Sequence, residues 1–307
     1  MDNLTHSLVG ALIGQTGLKK RTGLAMPALI IGANLPDVDA ACFFWLEGQE
    51  HLGFRRGITH GPPALVLLPL ILAGLLWGWD RWQAKRGKRP EDRVPVHFGW
   101  LYGLSLLGCL THPALDWLNV YGIRLLEPFS SQWFYGDTLF IIDIWLWGLM
   151  GFAVWWSLRQ EKRGADWQRT GRQALALVLV YIGVQAGVTG VAERSYSQES
   201  IEPDIAIASP PPLWSLNRDM IYWSAEEGGA MGMQRIGNMP LSACDLDAAR
   251  LADSEVDAFL FWSRTPVLDR TEEGAFILGD ARFYDPLSRD RFSVEVPAGL
   301  CSEPANR

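Results

Sequence analysis

Residues 98–118, FGWLYGLSLLGCLTHPALDWL, are apolar almost throughout and carry a histidine and an aspartate near their end. The run matches the ~20 residues that a helix needs to cross a bilayer. His112 and Asp116 are four residues apart, so on a helix their side chains lie on one face, one turn apart. Ionisable groups near lipid are costly unless they pair with each other or hold a metal. The segment therefore predicts a membrane helix, and its His112–Asp116 pair fits either two metal ligands or a histidine that simply pairs with a helical carboxylate.

Other apolar runs extend this prediction to an α-helical membrane bundle over residues 1–192. Clear spans are expected at 62–79, 98–118, 139–158 and 173–192, and weaker ones at 4–18 and 24–45. The first weak run is short, and the second is broken by Pro36, Asp37 and Asp39. We therefore expect about six membrane-embedded segments, with the first two as candidates for re-entrant or half-length helices.

Residues 193–307 have the composition of a soluble domain. Short runs of β-type residues separated by Gly, Pro and Asp occur at 220–225, 256–264, 274–284 and 291–296. This pattern predicts a small β-rich soluble domain. Asp280, Arg282 and Asp285 are expected to be surface charges or salt bridges, because no nucleophile motif or phosphate loop accompanies them.

Charge divides the chain in the same way. Residues 1–192 carry 17 basic and 14 acidic side chains, a net charge of +3, whereas residues 193–307 carry 10 and 20, a net charge of −10. Such an acidic domain argues against a nucleic-acid partner, since phosphate neutralisation needs clustered Lys and Arg.

Basic loops also predict an orientation in a bacterial inner membrane. The loops that begin at Lys19, at Arg81 and at Arg159 are rich in Lys and Arg, and the positive-inside tendency assigns such loops to the cytoplasm. The polar motifs and residues 193–307 then fall on the extracytoplasmic side. There Cys244 and Cys301 could form a disulfide, a question that the sequence leaves open.

The remaining candidate ligands are short polar motifs beside the apolar runs. They are His6, Asp37, Asp39, His60, Asp137 and Asp143, in addition to His112 and Asp116. Taken singly, each has an ordinary explanation as a helix cap, a solvated carboxylate or a histidine that pairs with a carboxylate. Taken together at one membrane face, imidazoles and carboxylates favour a divalent metal, zinc or else manganese. His51, in a polar loop, and His97, on the predicted cytoplasmic side, are left out.

The motifs also resemble a known family. They are Asp2-x-x-Thr5-His6, Asn34-Leu-Pro-Asp37-x-Asp39, Arg56-Gly-x-Thr59-His60, His112-Pro-x-x-Asp116-x-x-Asn119 and Gly136-Asp137-x-x-Phe140-x-x-Asp143. Their order and spacing resemble the YdjM-like family of inner-membrane proteins, which are regarded as metal-dependent hydrolases. That family is distantly similar to the zinc-dependent phospholipase C and single-strand nuclease superfamily. The resemblance implies one metal site at His60, His112 and Asp116 and a second at His6 with Asp37 or Asp39, for one to three ions in all.

The function expected from this site is metal-dependent hydrolysis of a phosphoester or lipid-linked substrate at the extracytoplasmic face. A metal would acidify a bound water, Asp37 or Asp39 could accept its proton, and Arg56 and Asn119 could hold anionic oxygens. Two alternatives stay open. A divalent-metal transporter or sensor would place its site near the bilayer midplane, and a regulatory membrane protein would use the metal only to tie helices together.

Overall fold

The computed structural model describes residues 1–196, 203–213, 216–225, 228–231, 234–286 and 288–302. The chain divides into two compact units. The membrane unit comprises Met1–Asp39, Arg56–Gly187 and Pro212–Ser215, and the tail unit comprises Ala40–Arg55, Val188–Pro211 and Leu216–Arg307. Residues 40–55 thus leave the membrane unit and the chain returns to it at Arg56.

Helices build nearly all of the membrane unit. They are α1 (Asn3–Gln15), α2 (Ala25–Asn34), α4 (Pro62–Lys85), α5 (Phe98–Trp117), α6 (Ile144–Lys162) and α7 (Trp167–Tyr196), with the short α3 (Glu50–Phe54) in the tail unit. Asp2 caps α1 by accepting the amides of Leu4 and Thr5, as expected where a carboxylate precedes a helix. A 3₁₀ segment, Leu35–Phe44, continues directly from α2.

Glycines let α2 approach two neighbouring helices very closely. A Cβ added to Gly108 of α5 would lie 2.5 Å from the carbonyl oxygen of Leu29, and one added to Gly10 of α1 would lie 2.7 Å from the same atom. Gly32 of α2 meets the Ser105 carbonyl equally closely. Small residues permit this backbone contact. It fixes the end of α2, and the segment after it, beside the polar half of α5.

Among the described residues, three helices are long and apolar enough to cross a membrane: Ala25–Phe44, Pro62–Lys85 and Trp167–Ser195. The expectation of about six membrane-embedded segments is not supported. Helix α1 is only 13 residues long, about 20 Å at 1.5 Å per residue. The candidates α5 and α6 fall short because polar groups or several tryptophans interrupt their apolar runs.

The tail unit confirms the expectation of a small β-sheet domain. One antiparallel sheet has the order β1 (Ile205–Ser209), β2 (Asp219–Ser224), β3 (Gly228–Met231), β4 (Gln234–Ile236), and the other the order β5 (Pro266–Arg270), β6 (Phe276–Asp280), β7 (Ser293–Glu295). Helices α8 (Leu246–Ala252) and α9 (Ser254–Trp262) precede β5. A disulfide joins Cys244 to Cys301, which settles the pairing left open above.

The prediction of a strand at 256–264 is wrong, because most of this run forms α9. Asp253 caps the helix by accepting the Glu255 amide. Val256, Phe259 and Trp262 are buried at a spacing of three residues, which suits one helical face better than alternation. The sequence did contain a helix signal, the capping residue Asp253, but the prediction gave more weight to the β-type composition of the run.

Candidate metal centre

The centre is built on the C-terminal half of α5, where His112 and Asp116 are both buried. Nε2 of His112 lies 3.6 Å from Oδ2 of Asp116. Nδ1 of His112 is 2.7 Å from the carbonyl oxygen of Ala33, at the end of α2. A carbonyl can only accept, so this contact assigns the proton to Nδ1 and leaves the Nε2 lone pair free. The close packing of α2 on α5 thus sets the tautomer of His112.

Helix α1 adds His6. The His6 ring stacks on that of His112 with centroids 3.8 Å apart, and its Nε2 is 3.3 Å from Oδ1 of Asp116. The α-amino group of Met1 also contacts Asp116. Burial lowers the pKa of this Met1 amine to about 6, against the opposing pull of Asp116. Asp116 is therefore surrounded by cationic or protonatable groups.

His60 enters from a 3₁₀ turn, Ile58–His60, immediately before α4. Its Nε2 is 3.8 Å from Oδ2 of Asp116, and its Nδ1 lies 2.9 Å from the Thr59 hydroxyl. Gly61 makes this turn possible, since a Cβ there would lie 1.8 Å from the carbonyl oxygen of Glu127. The His60 and His112 rings are 5.0 Å apart.

The 3₁₀ segment after α2 supplies the other carboxylates. Oδ1 of Asp37 is 3.8 Å from Nε2 of His112. Asp39 lies on the other side, with Oδ2 3.6 Å from Nδ1 of His60. The same Asp39 oxygen accepts the Thr59 hydroxyl at 3.2 Å and the backbone N–H of Arg56 at 2.8 Å. Asp37 therefore faces the imidazoles, whereas Asp39 supports the segment around His60.

Arg56 provides the positive charge of the centre. Its Nε lies 3.1 Å from Oδ2 of Asp116, and its Nη1 donates to Oδ1 of Asn119 at 3.1 Å and to the Gly122 carbonyl at 3.2 Å. The guanidinium also lies over the Tyr121 ring, 4.4 Å from its centroid. Arg56 adopts a φ of 55°, an unusual value for a residue other than glycine. It is thus held rigidly beside the carboxylate that it compensates.

Two triads of ligand atoms converge here, with all atoms of each triad within 4.8 Å of one another. They are His6, Asp37 and His112, and His60, His112 and Asp116. Within the described part of the chain, Nδ1 of His6 and Nε2 of His112 have no hydrogen-bond partner, and Nε2 of His6 faces Asp116 without hydrogen-bond alignment. Buried polar atoms are rarely left so. Imidazole lone pairs beside carboxylates are the donors of zinc or manganese sites, so these residues fit a divalent metal.

Three of the sequence-predicted ligands lie outside these triads, namely Asp39, described above, Asp143 and Asp137. Asp143 caps α6, accepting the amides of Trp145 and Leu146 and the hydroxyl of Tyr181. Asp137 is buried with a φ of 46° and belongs to neither triad. Asn119, predicted to be catalytic, lies against Arg56 and accepts the Tyr121 amide.

Sequence reasoning missed two members of the centre. The Ala33 carbonyl orients His112, and no side-chain pattern could signal a backbone acceptor. The Met1 amine contacts Asp116, and its only signal is its place next to Asp2 in the first motif. Both depend on tertiary packing around Asp116.

Comparison with models of protein families shows to which family the chain belongs. The model of the YdjM inner membrane protein family matches residues 1–192. The chain belongs to this family. The resemblance drawn from the five motifs is thereby confirmed, and the match covers the helices that carry the centre. No curated protein and no solved structure matches the chain.

Proposed function

We propose that this YdjM-family protein is a membrane-bound, metal-dependent hydrolase of phosphoesters carried on lipids. One observation carries the proposal. Three buried histidines from three separate segments meet around Asp116, and Nδ1 of His6 and Nε2 of His112 have no hydrogen-bond partner among the described residues. A structural cluster would pair these nitrogens, since unpaired buried polar atoms cost stability.

The ligands would be His6, Asp37, His60, His112 and Asp116, arranged as the two triads. When bound, the metal would supply a Lewis acid able to polarise a phosphoryl oxygen and to acidify water. Zinc or manganese suits the mixture of nitrogen and oxygen donors. Asp143 caps α6, and so we leave it out of the ligand set.

The two carboxylates of the 3₁₀ segment would divide the remaining work. The Asp39 side chain is 1 % exposed and holds Arg56 and Thr59 in place. The Asp37 side chain is 13 % exposed and its Oδ1 faces His112, so its other oxygen would be the one to accept a proton from incoming water and release it to solvent.

Arg56 and Asn119 would bind the anionic oxygens of the substrate. Oδ1 of Asn119 accepts two hydrogen bonds, from Arg56 and from the Tyr121 amide. Its Nδ2 is buried without a hydrogen-bond partner in the described residues. A guanidinium and an adjacent amide donor form a suitable cradle for a phosphoryl group.

An amphiphilic substrate follows from the setting of the centre. Three segments of the centre each expose an apolar side chain. They are Leu4 of α1 (48 % exposed), Val38 of the 3₁₀ segment (47 %) and Ile58 of the turn that carries His60 (53 %). The same unit contains candidate membrane spans. A lipid-linked phosphoester would present its headgroup to Arg56 and its chain to these apolar residues.

We further propose that residues 193–307 and the centre face the extracytoplasmic side. The basic loops support this by the positive-inside tendency. The Cys244–Cys301 disulfide supports it independently, because such bonds persist in oxidising compartments.

The test is hydrolysis of phospholipids and lipid-linked phosphoesters by the full-length protein, purified in detergent and loaded with zinc or manganese. Activity should be lost in His112→Ala and retained in His97→Ala, a matched control at an exposed histidine. Absence of activity on every phosphoester, with metal bound, would contradict the hydrolase. Metal uptake into proteoliposomes that His112→Ala abolishes would establish the transporter instead.

A further inference from the structure

The chain leaves the membrane unit directly after Asp39 and returns to it at Arg56. We call the intervening residues 40–55 the excursion. The backbone N–H of Arg56 donates to Oδ2 of Asp39 at 2.8 Å, and this hydrogen bond closes the base of the excursion. Both residues at the base belong to the candidate metal centre.

Inside the tail unit, the excursion packs against α9, and we call this contact the seat. A Cβ added to Gly53 of α3 would lie 3.2 Å from Cβ of Ala258. The Gln49 amide donates to Oε2 of Glu255 at 2.8 Å, and the Ser254 hydroxyl donates to Oε1 of Glu50 at 2.6 Å. The α3–α9 contact therefore has both steric fit and hydrogen bonds.

Two further features show how tightly this seat is built. Leu52, at the centre of α3, is fully buried. Gly48 has a φ of 44°, and a Cβ at that position would lie 1.9 Å from the Glu255 carboxylate. A glycine is favoured there because it adopts a positive φ without the steric cost of a Cβ. The excursion is consequently a fixed element of the tail unit.

Strain at the return point indicates what the seat accomplishes. Arg56 is held at a φ of 55°, a strained conformation that a non-glycine residue keeps only where its surroundings impose it. The seat of the excursion and the Asp39 hydrogen bond fix both ends of the segment that carries this residue. Released from the seat, Arg56 could relax and withdraw from Asp116.

We infer that α9 of the tail unit is a positioning element for the metal centre, acting through the covalent excursion. Glu255 and Ala258 belong to neither triad of candidate ligands; they contact the excursion, and the excursion is covalently continuous with Asp39 and Arg56. This inference rests on the proposed metal site and extends it by giving the tail unit a role in metal binding.

The experiment measures zinc affinity of the full-length protein in detergent by calorimetry, with hydrogen exchange of residues 35–60 as a second readout. Ala258→Leu crowds Gly53 and should weaken zinc binding by about tenfold or more, as loss of supporting residues commonly does, and speed exchange around Asp39 and Arg56. Ala252→Leu, the same change at an exposed position of α8, should leave both unchanged. Glu255→Ala, which removes only the acceptor of the Gln49 amide, serves if Ala258→Leu does not fold.

Outcomes separate the two proposals. If the wild type binds zinc and His112→Ala does not, yet both α9 variants bind as the wild type does, the positioning role is wrong and the metal site stands. If the wild type binds no divalent metal, the proposed function fails and the positioning role fails with it.

Discussion

Two clusters of buried charge, one in each unit, differ in how fully the protein satisfies their polar atoms with hydrogen bonds and ion pairs. In the tail unit, Asp280 and Arg282 form an ion pair with both side chains fully buried. Asp280 also accepts hydrogen bonds from Ser263, Thr265 and backbone amides. In the membrane unit, Asp116 gathers three histidines, of which two have ring nitrogens without hydrogen-bond partners among the described residues. The protein satisfies the polar atoms of the first cluster, whereas the second leaves imidazole nitrogens of His6 and His112 without hydrogen-bond partners among the described residues, which supports the proposed metal site.

The largest effect should come from breaking the tail pair. Asp280→Asn leaves the Arg282 guanidinium buried without its counter-ion, and we expect a loss of about 3–5 kcal/mol in the free energy of unfolding. Chemical denaturation of the protein, followed by Trp fluorescence, measures this. Asp290→Asn is the control, because that carboxylate is 92 % exposed in its own ion pair, and a loss there equal to that of Asp280→Asn would refute the distinction.

Metal should stabilise the other cluster. Zinc at about 100 times its dissociation constant is expected to raise the stability of the wild type by about 2.7 kcal/mol, because only the folded state holds the ligands together. A thermal melt in detergent with and without zinc detects this. His112→Ala should show no zinc-dependent shift; a shift equal to the wild type's would place the metal elsewhere.

Acid should weaken the ion pair of the tail unit. The Arg282 charge and several hydrogen bonds outweigh burial and lower the pKa of Asp280 to about 2, from 3.8. Because the folded pKa is depressed, the ionised carboxylate stabilises the tail unit fully above pH 3.8, and this contribution disappears as pH falls towards 2. The loss should amount to about 2 kcal/mol. Unfolding titrations between pH 5 and 2 should show a smaller loss in Asp280→Asn, and an identical loss would contradict the assignment.

The smallest effect tests the packing that orients His112. Gly108→Ala places a Cβ 2.5 Å from the Leu29 carbonyl and should destabilise the protein by about 1–3 kcal/mol through overpacking. Gly103→Ala, on the same helix with no atom within 4 Å of the new Cβ, should be neutral or slightly stabilising. Thermal melts of the two variants compare them directly, and equal behaviour would show that α2 and α5 tolerate separation.

The sequence predicted much of the cluster around Asp116 because the spacings within its motifs are local. His112 and Asp116 share a helical stripe, and Asp37, Arg56 and His60 belong to short motifs whose order matched a family. Those cues identify residue types near helix ends, and the structure brings His6, His60 and His112 together. Their metal-binding roles stay predictions.

What the sequence did not reveal depends on tertiary contacts. Asp143 has the same composition cues as a ligand, yet its nearest unsatisfied donors are the amides of α6, and it caps that helix. The expected strand at 256–264 forms a helix because its buried side chains repeat every three residues. The number of membrane spans was overestimated, since polar groups interrupt the apolar run of α5 and several tryptophans that of α6. No local pattern indicated that residues 40–55 join the tail unit.

The most direct measurement is the metal content of the full-length protein, purified from membranes without added metal and analysed for zinc and manganese. We expect at least one ion per chain in the wild type and in His97→Ala, and a loss of that ion in His60→Ala and His112→Ala. A wild-type content retained in full by both of the latter variants would contradict it.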